Sequence, residues 1–188
     1  MTIKVYAIEK VVLFGDSLMA GYGLSNEYHL SVVLKESLIS DGLNIEVING
    51  SVSGSTSSGG LNRAGWTLSE VDIDLMILGL GANDMLRGIN PKETRKNLEQ
   101  IIKIAQDKSI DVVLAGMVAP SSHGFKYKKN FDKIYPDLSK KYKLTLIPFL
   151  LEGVALKPKY NLSDGMHPNE KGTIIISNTL KKAILNKL

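Results

Sequence analysis

Cysteine is absent from the 188 residues, which excludes a disulfide framework, a thiolate nucleophile and a cysteine-ligated metal site. Three scattered histidines, His29, His123 and His167, give no metal-ligand spacing. Aromatic residues make up 6% of the chain, with one tryptophan, Trp66. No apolar run approaches the roughly 20 residues needed to span a bilayer, so no stable membrane insertion is expected. The opening residues Met1-Thr2-Ile3-Lys4-Val5-Tyr6 lack the long apolar core of a signal peptide. That fits a cytosolic chain or a mature form whose leader has been removed. Nucleotide signatures are also missing. There is no Gly-x-x-x-x-Gly-Lys-Ser/Thr, and Gly79-x-Gly81-x-x-Asp84 lacks the third glycine of a dinucleotide fingerprint. The nucleophile elbow Gly-x-Ser-x-Gly does not occur. What is left is nucleophilic catalysis with no metal and no cofactor.

The length suits one domain over residues 1–188, large enough to bury a core. The formal net charge of +4 comes with lysines in short groups: Lys126, Lys128 and Lys129; Lys140, Lys141 and Lys143; Lys181 and Lys182. Acidic Asp132 and Asp137 are interleaved and no nucleic-acid motif accompanies them, so these groups read as solvated helix faces, with no nucleic-acid partner.

Strand-like and helix-like segments alternate. The run Val11-Val12-Leu13-Phe14 is a buried strand that stops at Gly15-Asp16-Ser17. Residues 30–43 form an amphipathic helix with Leu30, Val33, Leu34, Leu38 and Ile39 on its apolar face, closed by Gly42. A short strand over 44–49 enters a hydroxyl-rich loop over 50–60, followed by a short helix over 61–68. Strands over 74–79 and 111–116 flank a helix from Pro91 to Lys108 with Leu98, Ile101, Ile102 and Ala105 inward. After a loop over 118–125 come a lysine-rich helix to Lys141 and a last strand over 144–149. Loop over 150–162 leads to a closing helix over 169–187 with Ile174, Ile175, Leu180, Ile184 and Leu185 inward. Five strands alternating with helices predict an α/β fold, a flavodoxin-like three-layer α/β/α sandwich on a parallel sheet. The loops after strands one, two, three and five would then gather Ser17, Gly54, Asn83, Asp164 and His167 along one edge.

A short hydroxyl residue at the carboxyl end of a buried strand lies where open α/β sheets bind ligands, although Asp16 and Ser17 are also ordinary turn residues. Asp164-Gly165-Met166-His167 puts a carboxylate and an imidazole three residues apart. The carboxylate can hold one ring nitrogen and leave the other to face Ser17, whose hydroxyl needs such help to act as a nucleophile. An acyl-transfer site also needs donors for the developing oxyanion. The candidates are the backbone N–H groups of Ser17 and Gly54 and the side-chain amide of Asn83, which locally could equally be a turn or cap residue. His29 reads as a surface or capping residue, and His123 as a substrate-side candidate in a loop bordering the site.

Gly15-Asp16-Ser17-Leu18, Gly54, Gly81-x-Asn83-Asp84 and Asp164-x-x-His167, in this order through nearly the whole chain, resemble the four blocks of the SGNH, or GDSL, hydrolases. Within that superfamily the chain is most similar to the bacterial thioesterase I / arylesterase / lysophospholipase L1 group. Leu86-Arg87-Gly88, the run from Ile147 to Val154 and Asp164-Gly165-Met166-His167-Pro168-Asn169 carry that likeness. The resemblance implies that Ser17 is the nucleophile, His167 the base and then acid, Asp164 its orienter, and Ser17, Gly54 and Asn83 the oxyanion hole. It implies a small-molecule acyl ester or thioester as substrate, and it favours a periplasmic or exported location, the cytoplasm staying open. Ser55 stands where many relatives carry aspartate, and Met85 where they often carry glycine. Both are read as lying on loops that border the acyl site, and Met85 and Leu86 as contacting substrate. The expected function is a serine esterase acting on acyl esters, with thioesters and lysophospholipids as further substrates. The competing readings are a carbohydrate O-acetyl esterase on this scaffold and a non-catalytic flavodoxin-like binding domain. The residues leave oligomeric state and chain-length preference open.

Overall fold

The computed structural model describes residues 8–69 and 72–188; the opening stretch 1–6 read above lies outside them. In chain order the elements are β1 (Lys10–Gly15), α1 (Ser17–Ala20), α2 (Leu30–Ser40), β2 (Glu46–Asn49), α3 (Ser57–Thr67) and β3 (Leu75–Gly79). They continue with α4 (Ala82–Leu86), α5 (Pro91–Asp107), β4 (Asp111–Ala115), α6 (Phe125–Asp132), α7 (Ile134–Tyr142), β5 (Thr145–Ile147) and α8 (Glu170–Leu185).

The five strands form one parallel sheet in the order β2-β1-β3-β4-β5. Val11 to Phe14 pair with Leu75 to Leu78 on one side, and Lys10 to Leu13 with Glu46 to Asn49 on the other. Strands buried on both faces must be apolar throughout rather than alternating. Val11 through Phe14 and Leu75 through Leu78 are all fully buried, each large side chain contributing about 1.5–3 kcal/mol of transfer free energy. The edge strands β2 and β5 are shorter and only half-buried, which limits the unpaired edge offered to other chains. With right-handed crossovers this strand order puts α2 and α8 on one face and α3, α5 and α7 on the other, and α2 packs against α8 as α3 does against α5. The strand order reverses between β1 and β3, so their carboxyl ends open a crevice at the topological switch point. Among the described residues no helix is long and apolar enough to cross a membrane.

Some elements differ from the sequence reading. Helix α3 begins at Ser57 rather than Leu61, because the hydroxyl run supplies its own cap: Thr56 Oγ1 accepts the Gly59 N–H at 3.2 Å. The lysine-rich helix is two helices broken at Lys133. Pro136 has no N–H to give the Asp132 carbonyl, and its ring crowds that oxygen. Ile39 is exposed because Leu30, Leu34 and Leu38, spaced at four residues, already occupy the buried stripe of α2. On α8, Ile174 and Leu185 face solvent, while Ile176, Leu180 and Ile184 point inward with Gly172, Thr173, Ser177 and Ala183. Ile174, Ile175 and Ile176 sit 100° apart around the helix, so a single face can bury only part of the run. Lysines of the three groups lie along helices, where Lys128 pairs with Asp132, Lys141 with Glu99 and Lys181 with Asp41.

Candidate active site

Ser17 opens α1 because Asp16 caps it. Asp16 Oδ1 accepts the Leu18 N–H at 3.1 Å, and its carbonyl accepts from Met19 and Ala20. The Asp16 side chain is buried, and its other oxygen accepts from Asn83 Nδ2 at 3.2 Å. Burial pushes the Asp16 carboxyl up to about 6, against the pull of the Leu18 N–H, the Asn83 amide and His167.

The strand ends behind this corner are tied together. Ser51 Oγ accepts the Gly15 N–H and donates to the Leu13 carbonyl, and the Val52 N–H reaches the Gly15 carbonyl. Arg63 spans from the Gly50 carbonyl (2.5 Å) to the Gly15 carbonyl (2.9 Å), with its guanidinium 3.9 Å over the Phe14 ring. This fork fixes β1 and β2 just before the loops that carry Ser17 and Gly54. Gly54 has φ +77°, a left-handed conformation that a side chain would strain.

Asn83 stands in the first turn of α4, whose N-cap residue is Gly81 (φ +118°), where a Cβ would collide with the Tyr135 hydroxyl. That hydroxyl donates to the Leu80 carbonyl at 2.9 Å. The neighbouring Asp84 points the other way, into the core, and accepts from Ser57 N–H (2.7 Å), Ser57 Oγ and Thr94 Oγ1 (3.1 Å), while Asn97 donates to Ser57 Oγ. A buried carboxylate is tolerated when it is hydrogen-bonded in this way, and here it locks α4 to the start of α3 and to α5.

His167 and Asp164 come on a short hairpin closed by the Asn161–Pro168 bridge and the Leu162 N–H to His167 carbonyl bond at 2.8 Å. The buried Asn161 amide donates to the carbonyls of Val154 and Lys157, and Asn169 donates to those of Lys159 and Asn161. Asp164 Oδ1 accepts the Met166 and His167 N–H groups, and Oδ2 lies 2.6 Å from His167 Nδ1. These donors, led by the His167 backbone N–H, hold the Asp164 carboxyl down at about 2. Being ionised, it can only accept, which puts the neutral imidazole's proton on Nδ1. His167 Nε2 is thereby left as an acceptor, 2.9 Å from Ser17 Oγ. Tyr22 covers the imidazole, with ring centroids 4.4 Å apart. Among the described residues, the Ser17 and Gly54 N–H groups and the second N–H of the Asn83 amide have no protein acceptor.

Ser17, Asn83 and His167 line a groove of about 410 Å³ whose walls are mostly apolar, including Met85, Leu86, Met117, Phe149 and Leu156. Met85 sits on a helix, α4, rather than a loop. Ser55 is not among the lining residues, its hydroxyl turned to the Thr56 carbonyl. Nor is His123, whose Nε2 lies 3.0 Å from the Met85 carbonyl, bracing the groove wall from outside. His29 stands at the N-cap position of α2 without capping it, and its ring contacts the Leu24 carbonyl instead. Trp66 lines a different cavity, beside Val52 and Arg63. Sequence reasoning passed over the supports: Arg63, Tyr22, the Asp16–Asn83 bond and the Asp84 cluster. Only for Asp84, next to Asn83 in a glycine-rich strand end, was there a local signal.

Parallel sheet, crevice, and a hydroxyl–imidazole–carboxylate chain at an apolar groove define the class of a serine esterase. Residues 13–173 match the GDSL-like Lipase/Acylhydrolase family. An arylesterase of Vibrio mimicus is 36% identical over 182 residues, covering 97% of this chain and 91% of its own. The thioesterase 1/protease 1/lysophospholipase L1 of Escherichia coli K12 is 33% identical over 184 residues, covering 98% and 87%. Among solved structures, TesA superposes with a TM-score of 0.90 at 30% identity, covering 96% of this chain and all of its own. AlinE4, an SGNH-hydrolase family esterase, does so at 0.81 and 40% identity, covering 97% and 98%. The chain belongs to the GDSL-like lipase/acylhydrolase family. It is an enzyme, a carboxylic ester hydrolase that acts on small-molecule esters, and not a non-catalytic binding module.

Proposed function

We propose that Ser17, His167 and Asp164 are the catalytic triad of this esterase, with the N–H groups of Ser17 and Gly54 and the Asn83 amide as its oxyanion hole. The observation that carries this reading is the chain of contacts from Asp164 to His167 at 2.6 Å and from His167 to Ser17 at 2.9 Å. Ser17 Oγ attacks the acyl carbonyl carbon as His167 Nε2 takes the hydroxyl proton, and the carbonyl electron pair moves onto oxygen. The oxyanion is met by N–H groups that no protein acceptor occupies, in a site whose donors need no reorganisation. Collapse breaks the C–O or C–S bond, and the imidazolium gives its proton to the departing alcohol or thiol. Water, deprotonated by the same nitrogen, attacks the acyl-enzyme and releases the carboxylic acid and free Ser17.

The apolar groove beside Ser17 suits the acyl part of the substrate, with Met85 and Leu86 contacting it. Acyl esters are the main substrates in this reading, and acyl thioesters and lysophospholipids follow from the named relatives. Residues 1–188 act as one domain, without a nucleic-acid partner or stable membrane insertion. A periplasmic or exported location, supported by family resemblance alone, is checked by cell fractionation. Ser17→Ala is expected to abolish turnover of p-nitrophenyl esters, with unchanged circular dichroism, and to abolish labelling by a fluorophosphonate probe. A Ser17→Ala protein with wild-type turnover overturns the assignment. Rates on short and long acyl esters, acyl-CoA and acetylated xylan separate the esterase from an O-acetyl carbohydrate esterase.

A further inference from the structure

We propose that Arg87 is a positioning residue that sets the spacing of the oxyanion hole by bridging two of its donors; this rests on the reading of the site just given. The hole draws on groups from separate segments: Gly54 in the loop after β2, and Asn83 in α4. A loop and a helix must therefore hold a fixed distance if their N–H groups are to meet one oxygen. Arg87, one residue past α4, does this with a single residue. Its backbone N–H donates to the Asn83 carbonyl at 3.1 Å, and its guanidinium Nη2 donates to the Gly54 carbonyl at 3.0 Å.

Gly54 needs such a tether. It is exposed, has a left-handed φ and carries no side chain to pack. Within its own loop the turn is held by the Ser55 N–H bonded to the Val52 carbonyl at 3.1 Å. Among the described residues, Arg87 is the partner of the Gly54 carbonyl. The Gly54 carbonyl and the Ser55 N–H share one peptide plane, so the Arg87 and Val52 bonds hold that plane from both edges, and the Gly54 N–H in the adjoining plane is positioned relative to it through φ of Gly54. Behind it, Asp84 ties α4 to Ser57, three residues past Gly54. That bond is buried and holds the helices together, whereas the Arg87 bond is exposed and reaches the donor residue itself. Arg87 does not line the groove, so it can be removed without touching the acyl chain.

The test uses Arg87→Ala and Arg87→Met in the full chain, with kcat and KM on a p-nitrophenyl ester, thermal melting, and added guanidinium chloride at millimolar concentration. We expect kcat to fall about tenfold, less than the 10²–10³ attributed to loss of a whole oxyanion donor. KM should stay within about twofold and Tm should not change, since misplacement of a donor acts on the transition state. Guanidinium should restore kcat to Arg87→Ala, where it can occupy the vacated position, and not to Arg87→Met, whose side chain fills it. Wild-type kcat in both variants, or a loss that guanidinium does not restore in Arg87→Ala, overturns the assignment. An inactive Ser17→Ala beside an unaffected Arg87→Ala removes only Arg87's role, whereas an active Ser17→Ala removes the site reading beneath it.

Discussion

Asp16 shows how much a residue that never meets substrate can decide. Its ionised carboxylate can only accept, so it draws one N–H of Asn83 toward itself and fixes which end of the amide faces the site. An asparagine at position 16 would present its own N–H₂ or carbonyl and let the Asn83 amide turn over, bringing an oxygen where the proposed oxyanion hole needs a donor. Asn83→Ala is expected to lower kcat by about 10²–10³. Asp16→Asn should lower it by about tenfold or more without loss of secondary structure, both read from steady-state rates on a soluble ester. The residues that the structure joins in one hydrogen-bonded chain, and that we propose to react, were legible in the sequence because their signals are local: a hydroxyl at the end of an apolar run, and Asp164 three residues before His167. Asp16's link to Asn83, Arg63's grip on two carbonyls and Tyr22's place over the imidazole were not. Each is a contact between segments distant in the chain, and nothing in the residues nearby demands it.

Elements read well where one physical cause dominates. The buried strands are continuous apolar runs, and α5 follows Asn90-Pro91, whose amide oxygen caps the Lys92 N–H and whose ring is preset for a first turn. They read poorly where two causes compete, as in the hydroxyl run that is both loop and helix cap before α3, or the triple isoleucine in α8. The residues predict a loop over 150–162 leading into a corner at Asp164 and His167, not the hairpin that carries them, whose shape rests on two asparagine side chains. Removing the Asn161 amide in Asn161→Ala takes one of two donors from each of the Val154 and Lys157 carbonyls, which keep the backbone N–H groups of Lys157 and Tyr160. The expected cost is about 2 kcal/mol, a fall in Tm of about 4–8 °C for a chain of this size. kcat should drop with it as His167 loses its fixed orientation. Thermal melts and rates on the same preparation check both, and a wild-type melt would show that the hairpin holds itself.

The stability of the whole molecule should carry the mark of Asp16. Its folded value of about 6 lies above the ordinary 3.8, so the folded protein holds a proton between about pH 4 and 6 that the unfolded chain has released. The stabilising contribution is therefore complete below about pH 4 and lost as pH rises through 6, at most about 3 kcal/mol. Asp164 acts in the opposite sense: its value near 2 gives stability above about pH 4 that disappears as pH falls through 2, weakened by its exposure. Urea unfolding at pH 4, 5, 6 and 7 should show wild type losing stability relative to Asp16→Asn as pH rises. Parallel curves would mean that Asp16 is solvated after all.

Between the hydroxyl of Ser17 and the imidazole it meets lie 150 positions of chain. A ribosome delivers the first long before the second, and α8, which follows His167, must still seat against α2. Until His167 has emerged, Ser17 lacks the imidazole to which it is hydrogen-bonded in the folded protein, so the proposed triad is completed only late in synthesis.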